Sequence, residues 1–409
     1  MSQLPLRAQV ASALGRTAAT LSRMTGRGDG SVIGGRIGLV VEPDLLRQLA
    51  RDKRLVLVSA TNGKTTTTRL ITSALHELGE VATNAFGANM PAGHVSALSQ
   101  AKRAPYGVLE VDEKYLPEVL DTTGASVVCL MNLSRDQMDR AAEIWLLAQK
   151  WRRALDGRPT HVVANCDDPL VTWGASTAAQ VTWVAVGQRW KEDSWSCPEC
   201  GGPLDRKDVD WACRECTFHR PEPQWVLDGD SVLDPHGRRW RLDLQLPGTA
   251  NKANAAMALA VVASFGLSPD RALPRLGEVK SVAGRYTMVE RDGRQARLLL
   301  AKNPAGWLEA FDVADPALPI ILSVNAQGPD GRDTSWLWDV DYRVLNGRPV
   351  FVTGERRLDL ALRLDVAGVP FTLATSFSEA LAAQPPGRVD VIANYTAFQQ
   401  IRSEFGRAV

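Results

Sequence analysis

From residue 54 onward, short apolar runs alternate with stretches of helical periodicity. Residues 54–60 (RLVLVSA) read as a strand and residues 65–78 as a helix. Further strand-like runs follow at 107–111, 126–131, 160–164 and 181–186. Apolar runs this short, separated by helices, indicate buried parallel strands in a doubly wound α/β domain. Between Gln188 and Pro223 the pattern breaks into a polar, Trp-rich stretch, which reads as an inserted module. An alanine-dense helix over 251–265 resumes the α/β pattern. A second α/β series then runs through 296–301, 319–324, 350–353 and 389–392, with a boundary near 277–284. The expected organisation is an N-terminal helical segment over 1–45, a central α/β domain over 46–280 with an insertion at 190–223, and a C-terminal α/β domain over 281–409.

The N-terminal segment places Leu6, Val10, Leu14, Leu21 and Met24 at helical spacing. That pattern predicts an amphipathic helix with its apolar face packed on the body, in preference to one lying on a membrane. No apolar h-region with a small-residue cleavage site is present, so the segment does not read as a signal peptide. No apolar run approaches the roughly 20 residues a membrane span needs.

Composition adds one exclusion. Across 409 residues, 47 Lys+Arg stand against 46 Asp+Glu, whereas a general nucleic-acid binder carries a basic excess. Of six cysteines, Cys129 and Cys166 sit in or beside apolar runs and read as buried. The other four form Cys197-x-x-Cys200 and, twelve residues on, Cys213-x-x-Cys216. Two such knuckles close a tetrahedral site for structural Zn²⁺. Four thiolates leave no open coordination position, so no catalysis is expected there, and two disulfides are disfavoured in the reducing cytoplasm this usage implies.

The chemistry begins where the first strand ends. Thr61-Asn62-Gly63-Lys64-Thr65-Thr66 joins that strand to a helix through a glycine turn, the arrangement that aims backbone amides at a phosphate. Lys64 is suited to the β and γ phosphates of ATP and the Thr65 hydroxyl to Mg²⁺. Val58 breaks the usual GxxxxGK[ST] spacing. The shorter loop resembles that of the Mur ligase family, with Ala60 in place of the family's first glycine.

Other segments extend the resemblance in order along the chain. Glu110 ends a strand where the family places a magnesium-binding glutamate. The run 132–140 is similar to the family's Asn-x-x-x-Asp-His-x-Asp segment, with Asn132 at its head and Gln137 in place of the histidine. Asn165-Cys166-Asp167-Asp168 resembles an adenosine-side motif, and Gly248, Asn251 and Asn254 a helix start at which Asn251 contacts nucleotide. Gly284-Arg285 matches the hinge into the last domain, and Lys302-Asn303-Pro304 lies where the family has His-Asn-Pro. The nucleotide loop begins near residue 59, which leaves no room for the domain that holds UDP in ordinary members.

Within the family the resemblance is to the MurT group of synthetase subunits, which has the Ala-Thr-Asn-Gly-Lys-Thr-Thr-Thr-Thr loop, the Asp-Gln metal segment and a cysteine insertion. It implies ATP-dependent amidation of the D-glutamate carboxylate of the lipid II stem peptide through an acyl phosphate. Ammonia would come from a GatD-like glutaminase partner. It also implies that an aspartate in the Trp-rich run 330–342 completes the partner's triad, with Asp339 the first choice and Asp333 the second. The expected nucleotide set is Thr61, Asn62, Gly63, Lys64, Thr65, Thr66, Glu110, Asn132, Asn251 and Arg285. Two rival readings are a stand-alone Mur or folylpolyglutamate-type amino-acid ligase and a nucleotide-dependent zinc-ribbon protein that binds nucleic acid.

Overall fold

A computed structural model describes residues 4–25, 30–84, 87–136, 143–280 and 286–405. Two compact units divide the chain. One comprises Met1–Ser134, Ile144–Leu246 and Ala250–Lys280; the other comprises Arg135–Glu143, Pro247–Thr249 and Ser281–Val409.

In the first unit a parallel sheet is built from β1 (Arg54–Ser59), β2 (Val81–Thr83), β3 (Tyr106–Glu110), β4 (Val127–Leu130), β5 (His161–Asn165) and β6 (Gln180–Ala185). The spatial order runs β6-β5-β4-β1-β3-β2. The apolar runs form the strands because both faces of the sheet are covered, and Leu55, Val56, Leu57 and Val58 are all fully buried. After β1 the chain builds β2 and β3 on one side and then crosses to β4 on the other. Where the direction of winding reverses, the carboxyl ends of β1 and β4 open a crevice, the usual ligand position in such sheets.

Several short strands have no counterpart in the sequence pattern, β2 among them. β9 (Trp225–Asp228), β10 (Ser231–Leu233) and β11 (Arg239–Arg241) extend the sheet beyond β6, with the last two pairings antiparallel. Before them, β7 (Leu204–Lys207) and β8 (Asp210–Cys213) form a separate hairpin inside the cysteine-bearing insertion. The covering helices are α1 (Leu6–Met24), α2 (Ser31–Val41), α3 (Leu45–Ala50), α4 (Lys64–Leu75), α5 (Pro91–Gln100), α6 (Leu116–Thr123), α7 (Ile144–Leu155), α8 (Pro169–Ala175), α9 (Thr249–Ala263) and α10 (Pro269–Gly277).

The expectation for α1 is corrected. The helix forms, but it packs through Ala8, Ala11, Ser12, Gly15 and Ala19, while Leu6, Val10, Leu14, Leu21 and Met24 are exposed. Its seam with α2 is backbone on backbone: a Cβ added to Gly15 would lie 2.5 Å from Gly34 O, and one added to Gly34 would lie 2.5 Å from Gly15 O. Only small residues permit that approach, so the large apolar side chains are left on the outer face.

The second unit has the strands β12 (Tyr286–Arg291), β13 (Arg294–Leu300), β14 (Ile320–Ser323), β15 (Val350–Thr353), β16 (Thr372–Leu373) and β17 (Gly387–Ala393). Their order is β12-β13-β17-β14-β15-β16, and only β12 is antiparallel. The helices are α11 (Pro304–Val313), α12 (Arg357–Val366), α13 (Phe377–Ala382) and α14 (Tyr395–Phe405). The sheet core contains an ion pair: Arg297 donates from Nε to Asp390 Oδ1 at 2.6 Å and from Nη2 to Oδ2 at 2.8 Å. The backbone amide of Asp315 also donates to that carboxylate, at 2.7 Å.

Candidate nucleotide site, thiol cluster and exposed aspartates

The nucleotide loop leaves β1 at the crevice and is latched to the end of β4. Thr61 N donates to Asn132 O at 2.9 Å, and Asn62 N donates to Asn132 Oδ1 at 2.9 Å. Asn132 Nδ2 returns a bond to Asn62 O at 3.0 Å. The Thr61 hydroxyl accepts from Ser134 N at 3.0 Å. Thr61 and Asn62 are therefore occupied in shaping the loop. Gly63 adopts φ +87°, a left-handed conformation, and a Cβ there would meet Asn254 Oδ1 at 2.5 Å and Met131 Cε at 2.8 Å. Both constraints select glycine.

Lys64 opens α4, whose N-terminus carries no side-chain cap, leaving its first amides for an anion. The Lys64 side chain is almost fully buried, and its ammonium donates to Ala60 O and to Glu113 Oε2, the latter at 3.0 Å. Thr65 is half-buried and Thr66 buried beside it.

Glu110, the last residue of β3, is 3% exposed, and its Oε2 has no hydrogen-bond partner. A buried carboxylate oxygen without a donor is costly unless a cation meets it. Its backbone is fixed on both sides: Glu110 N donates to Asn84 Oδ1 at 2.8 Å, and Glu110 O accepts from Asn84 Nδ2 at 2.8 Å and His94 Nε2 at 2.9 Å. Burial pushes His94 down to about 4, so the ring is neutral and Nε2 carries the proton it donates. Glu113, Asn84 and His94 were not found from the sequence. Glu113 lies three residues beyond a recognised strand end, but its partner is distant in sequence and left no local signal.

The Asn165–Asp168 quartet works as a bracket. Asp167 Oδ2 accepts from Val186 N at 2.8 Å, Gly187 N at 2.7 Å and Gln188 N at 3.3 Å, and its Oδ1 faces Arg220 Nη2 at 2.8 Å. Asp168 caps α8 by accepting from Leu170 N at 2.9 Å and Val171 N at 3.2 Å, and it also accepts from Leu133 N at 3.0 Å. Asn251 lies in the first turn of α9 and accepts from Asn254 Nδ2 at 3.4 Å. Arg285 and Gln137 lie outside the described residues.

In the insertion, the four thiols of Cys197, Cys200, Cys213 and Cys216 lie within 4.8 Å of one another. Cys197 and Cys216 are 3.7 Å apart, and Cys200 and Cys213 are 3.5 Å apart. Tetrahedral Zn–S bonds of about 2.3 Å require sulfurs about 3.8 Å apart, so the donor set fits zinc. Backbone amides of Gly202 and Glu215 point at Cys200 and Cys213 sulfur at 3.4 and 3.3 Å, as tight knuckles do. The apolar core of this module is only Cys197, Leu204 and Trp211 with partly buried neighbours, too little to hold it alone. Four side chains tie it to the sheet domain. Trp211 Nε1 donates to Cys166 O at 3.0 Å, Trp145 Nε1 to Pro198 O at 3.0 Å and Trp173 Nε1 to Glu199 Oε2 at 2.5 Å, alongside the Arg220–Asp167 pair.

In the second unit, Asp339 is exposed and faces Arg135, 3.2 Å away. Asp333 turns both carboxylate oxygens onto Ser335, accepting from its amide at 2.8 Å and its hydroxyl at 3.0 Å. Trp338 is 54% exposed, with the Arg363 guanidinium 4.2 Å from its ring. Close by on α12, Leu358, Leu362 and Val366 occupy successive turns and are 66%, 54% and 59% exposed. Asn303 caps α11 by accepting from Gly306 N at 2.9 Å, and Lys302 donates to Asp136. Asn394 exchanges bonds with Asn325, tying the ends of β14 and β17.

The Mur ligase middle domain matches residues 58–262, and the MurT ligase C-terminal domain matches residues 300–398. The chain is 29% identical, over 97% of each chain, to the lipid II isoglutaminyl synthase (glutamine-hydrolyzing) subunit MurT of Staphylococcus aureus strain COL. It is 30% identical to the subunit of the same name from Streptococcus pneumoniae, over 93% of each chain. Among solved structures it resembles a pseudomurein peptide ligase type C from Methanothermus fervidus, with a TM-score of 0.70 and 16% identity over 88% of this chain and 80% of that one. It also resembles MurF from Acinetobacter baumannii, with a TM-score of 0.65 and 15% identity over 90% and 80%. At these identities the two structures speak to the fold alone.

Proposed function

Because the chain belongs to the Mur ligase family, in its MurT branch, we propose that it is the synthetase subunit of a glutamine-dependent ligase that amidates the D-glutamate carboxylate of the lipid II stem peptide. The observation that carries the reading is the pairing, at one crevice, of an uncapped helix opening with Lys64 and a buried Glu110 oxygen that has no partner. Mg²⁺-ATP supplies the phosphoryl group and the counter-charge for its transfer. The α4 amides and Lys64 would hold phosphate oxygens, and the Thr65 hydroxyl and the Glu110 carboxylate would hold the Mg²⁺. One oxygen of the substrate carboxylate attacks the γ-phosphorus and ADP departs, leaving an acyl phosphate. Ammonia then attacks the acyl carbon and inorganic phosphate departs, giving the amide.

The chain's own cysteines are poor candidates for generating that ammonia. Cys129 and Cys166 are fully buried, and burial drives both thiols well above their ordinary range. The other four are gathered at the site that fits zinc. A GatD-like glutaminase partner therefore supplies ammonia, docking on the exposed Trp338, Leu358, Leu362 and Val366 surface. Asp339 then orients the partner's catalytic imidazole. Asp333 is the weaker choice because Ser335 already engages both its oxygens. The reading places the chain in the cytoplasm, where lipid II is assembled.

The test is co-expression with a glutaminase of this type, followed by ATP- and glutamine-dependent amidation of lipid II. A complex that amidates only when Lys64 is intact supports the reading. A stand-alone ligase would instead consume ATP with an amino acid as acceptor and need no partner.

A further inference from the structure

The N-terminal helices have the wrong face outward for a water-exposed hairpin. On α1, Leu6, Val10, Leu14, Leu21 and Met24 are 78%, 47%, 47%, 56% and 78% exposed. At about 3.6 residues per turn these five fall on a single face, opposite the buried Ala8, Ala11, Ser12, Gly15 and Ala19. On α2, Ile33 and Val40 are 47% and 82% exposed. An amphipathic helix in water buries its large apolar residues and turns polar ones outward, and here the large apolar residues are on the outer face.

Two independent features say what covers this face. The first is charge: neither Leu6–Met24 nor Ser31–Val41 contains an Asp or a Glu, while Arg7, Arg16, Arg23 and Arg36 are all exposed. On α1, Arg7 borders the apolar stripe and its Nε donates to Val41 O at 2.8 Å, while Arg16 and Arg23 lie on the other side, nearer the packed face, where Arg16 Nη1 donates to Ser12 Oγ at 3.1 Å. An apolar stripe between cationic flanks matches the acyl boundary and anionic headgroups of a bilayer surface. Glu42, just after α2, lies 3.7 Å from Arg7 but is only 8% exposed, so the charge that the two helices show to solvent is cationic.

The second is packing. The α1–α2 seam of Gly15 against Gly34 brings backbones into direct contact, with Ala19 over Gly30 at its end. Small-on-small seams of this kind are typical where burying large apolar side chains between helices brings no gain, because lipid solvates them as well.

We propose that α1 and α2 form a peripheral membrane-docking hairpin that lies flat on an anionic phospholipid surface, with the Leu6–Met24 stripe immersed. No helix among the described residues is long and apolar enough to span a bilayer, so the contact is interfacial. The inference stands on the surface of these two helices and does not depend on the ligase reading.

The experiment is flotation of the full chain with vesicles of phosphatidylglycerol and, separately, of phosphatidylcholine. The expected result is binding to the anionic vesicles, weakened by salt, with little binding to the zwitterionic ones. The double variant Leu14→Glu, Leu21→Glu alters only exposed positions, so it keeps its melting temperature and loses at least about tenfold in partitioning. A Lys64→Ala chain floats like the unaltered one. Absence of binding to anionic vesicles, or equal binding by the double variant, overturns the proposal. So does a dimer in solution that the double variant dissolves, since a second copy would then cover the face.

Discussion

Lys64 Nζ lies 3.0 Å from Glu113 Oε2, in a pair whose side chains are 6% and 13% exposed. The ammonium is thus held at the mouth of the loop by an acid from the next strand's exit, with Ala60 O as a second acceptor. Removing the lysine takes the ammonium from the loop and leaves Glu113 without its ion-pair partner. Lys64→Ala is expected to lower kcat/KM for ATP-dependent amidation by about a hundredfold or more, while pairing with the glutaminase persists. Glu113→Gln keeps an acceptor for Lys64 and is expected to cost less than about tenfold. Steady-state kinetics of the two variants side by side decide this.

The Cys197–Cys216 thiols sit in a module with little core of its own, so the metal is expected to be part of its fold. The purified chain should contain a single zinc per molecule by elemental analysis. Chelation, or Cys213→Ser, should lower the melting temperature and increase proteolysis within the insertion. Unchanged melting after complete zinc removal would count against a structural role.

The Arg297–Asp390 pair is 9% and 0% exposed, and Asp390 also accepts from the amide of Asp315. Asp390→Ala leaves a buried guanidinium without its counter-charge. Breaking such a pair from one side costs about 3–5 kcal/mol. Chemical denaturation should show that loss in the C-terminal unit.

His161, at the start of β5, is half-buried with Nε2 2.9 Å from the Thr182 hydroxyl, and burial lowers its pKa below the ordinary 6.5. A base lowered in the folded state binds its proton more readily when unfolded. Its contribution is therefore fully present above 6.5 and is lost as the pH falls below that value. His94, held down to about 4, adds a slope of the same sign. Unfolding free energy measured from neutral to acid pH should fall more steeply for the unaltered chain than for His161→Gln.

The parallel core and the phosphate loop were legible because both are written locally. A buried strand is a short apolar run, and a left-handed turn before Lys64 needs a glycine in the same few residues. The matches at Glu110 and Asn132 were legible as strand ends. What those residues do for one another was not. The Asn132 latch joins residues 70 positions apart, and Glu113, Asn84 and His94 act through partners far along the chain or through backbone groups. β9–β11 are three or four residues each, too short for period-two alternation to register. On α1 the period was correct and the inference from it was not. Periodicity identifies an apolar face, but whether that face packs inward depends on what the neighbouring helix offers. Here α2 offers glycine, which selects the small face.

The proposed function rests on activation of a carboxylate by phosphorylation. The direct measurement is to label the D-glutamate carboxylate of lipid II with heavy oxygen, run the amidation with the glutaminase partner, and analyse the inorganic phosphate by mass spectrometry. Activation through an acyl phosphate predicts that one carboxylate oxygen is carried into the phosphate released. Phosphate free of label, in a reaction that has made the amide, would contradict it.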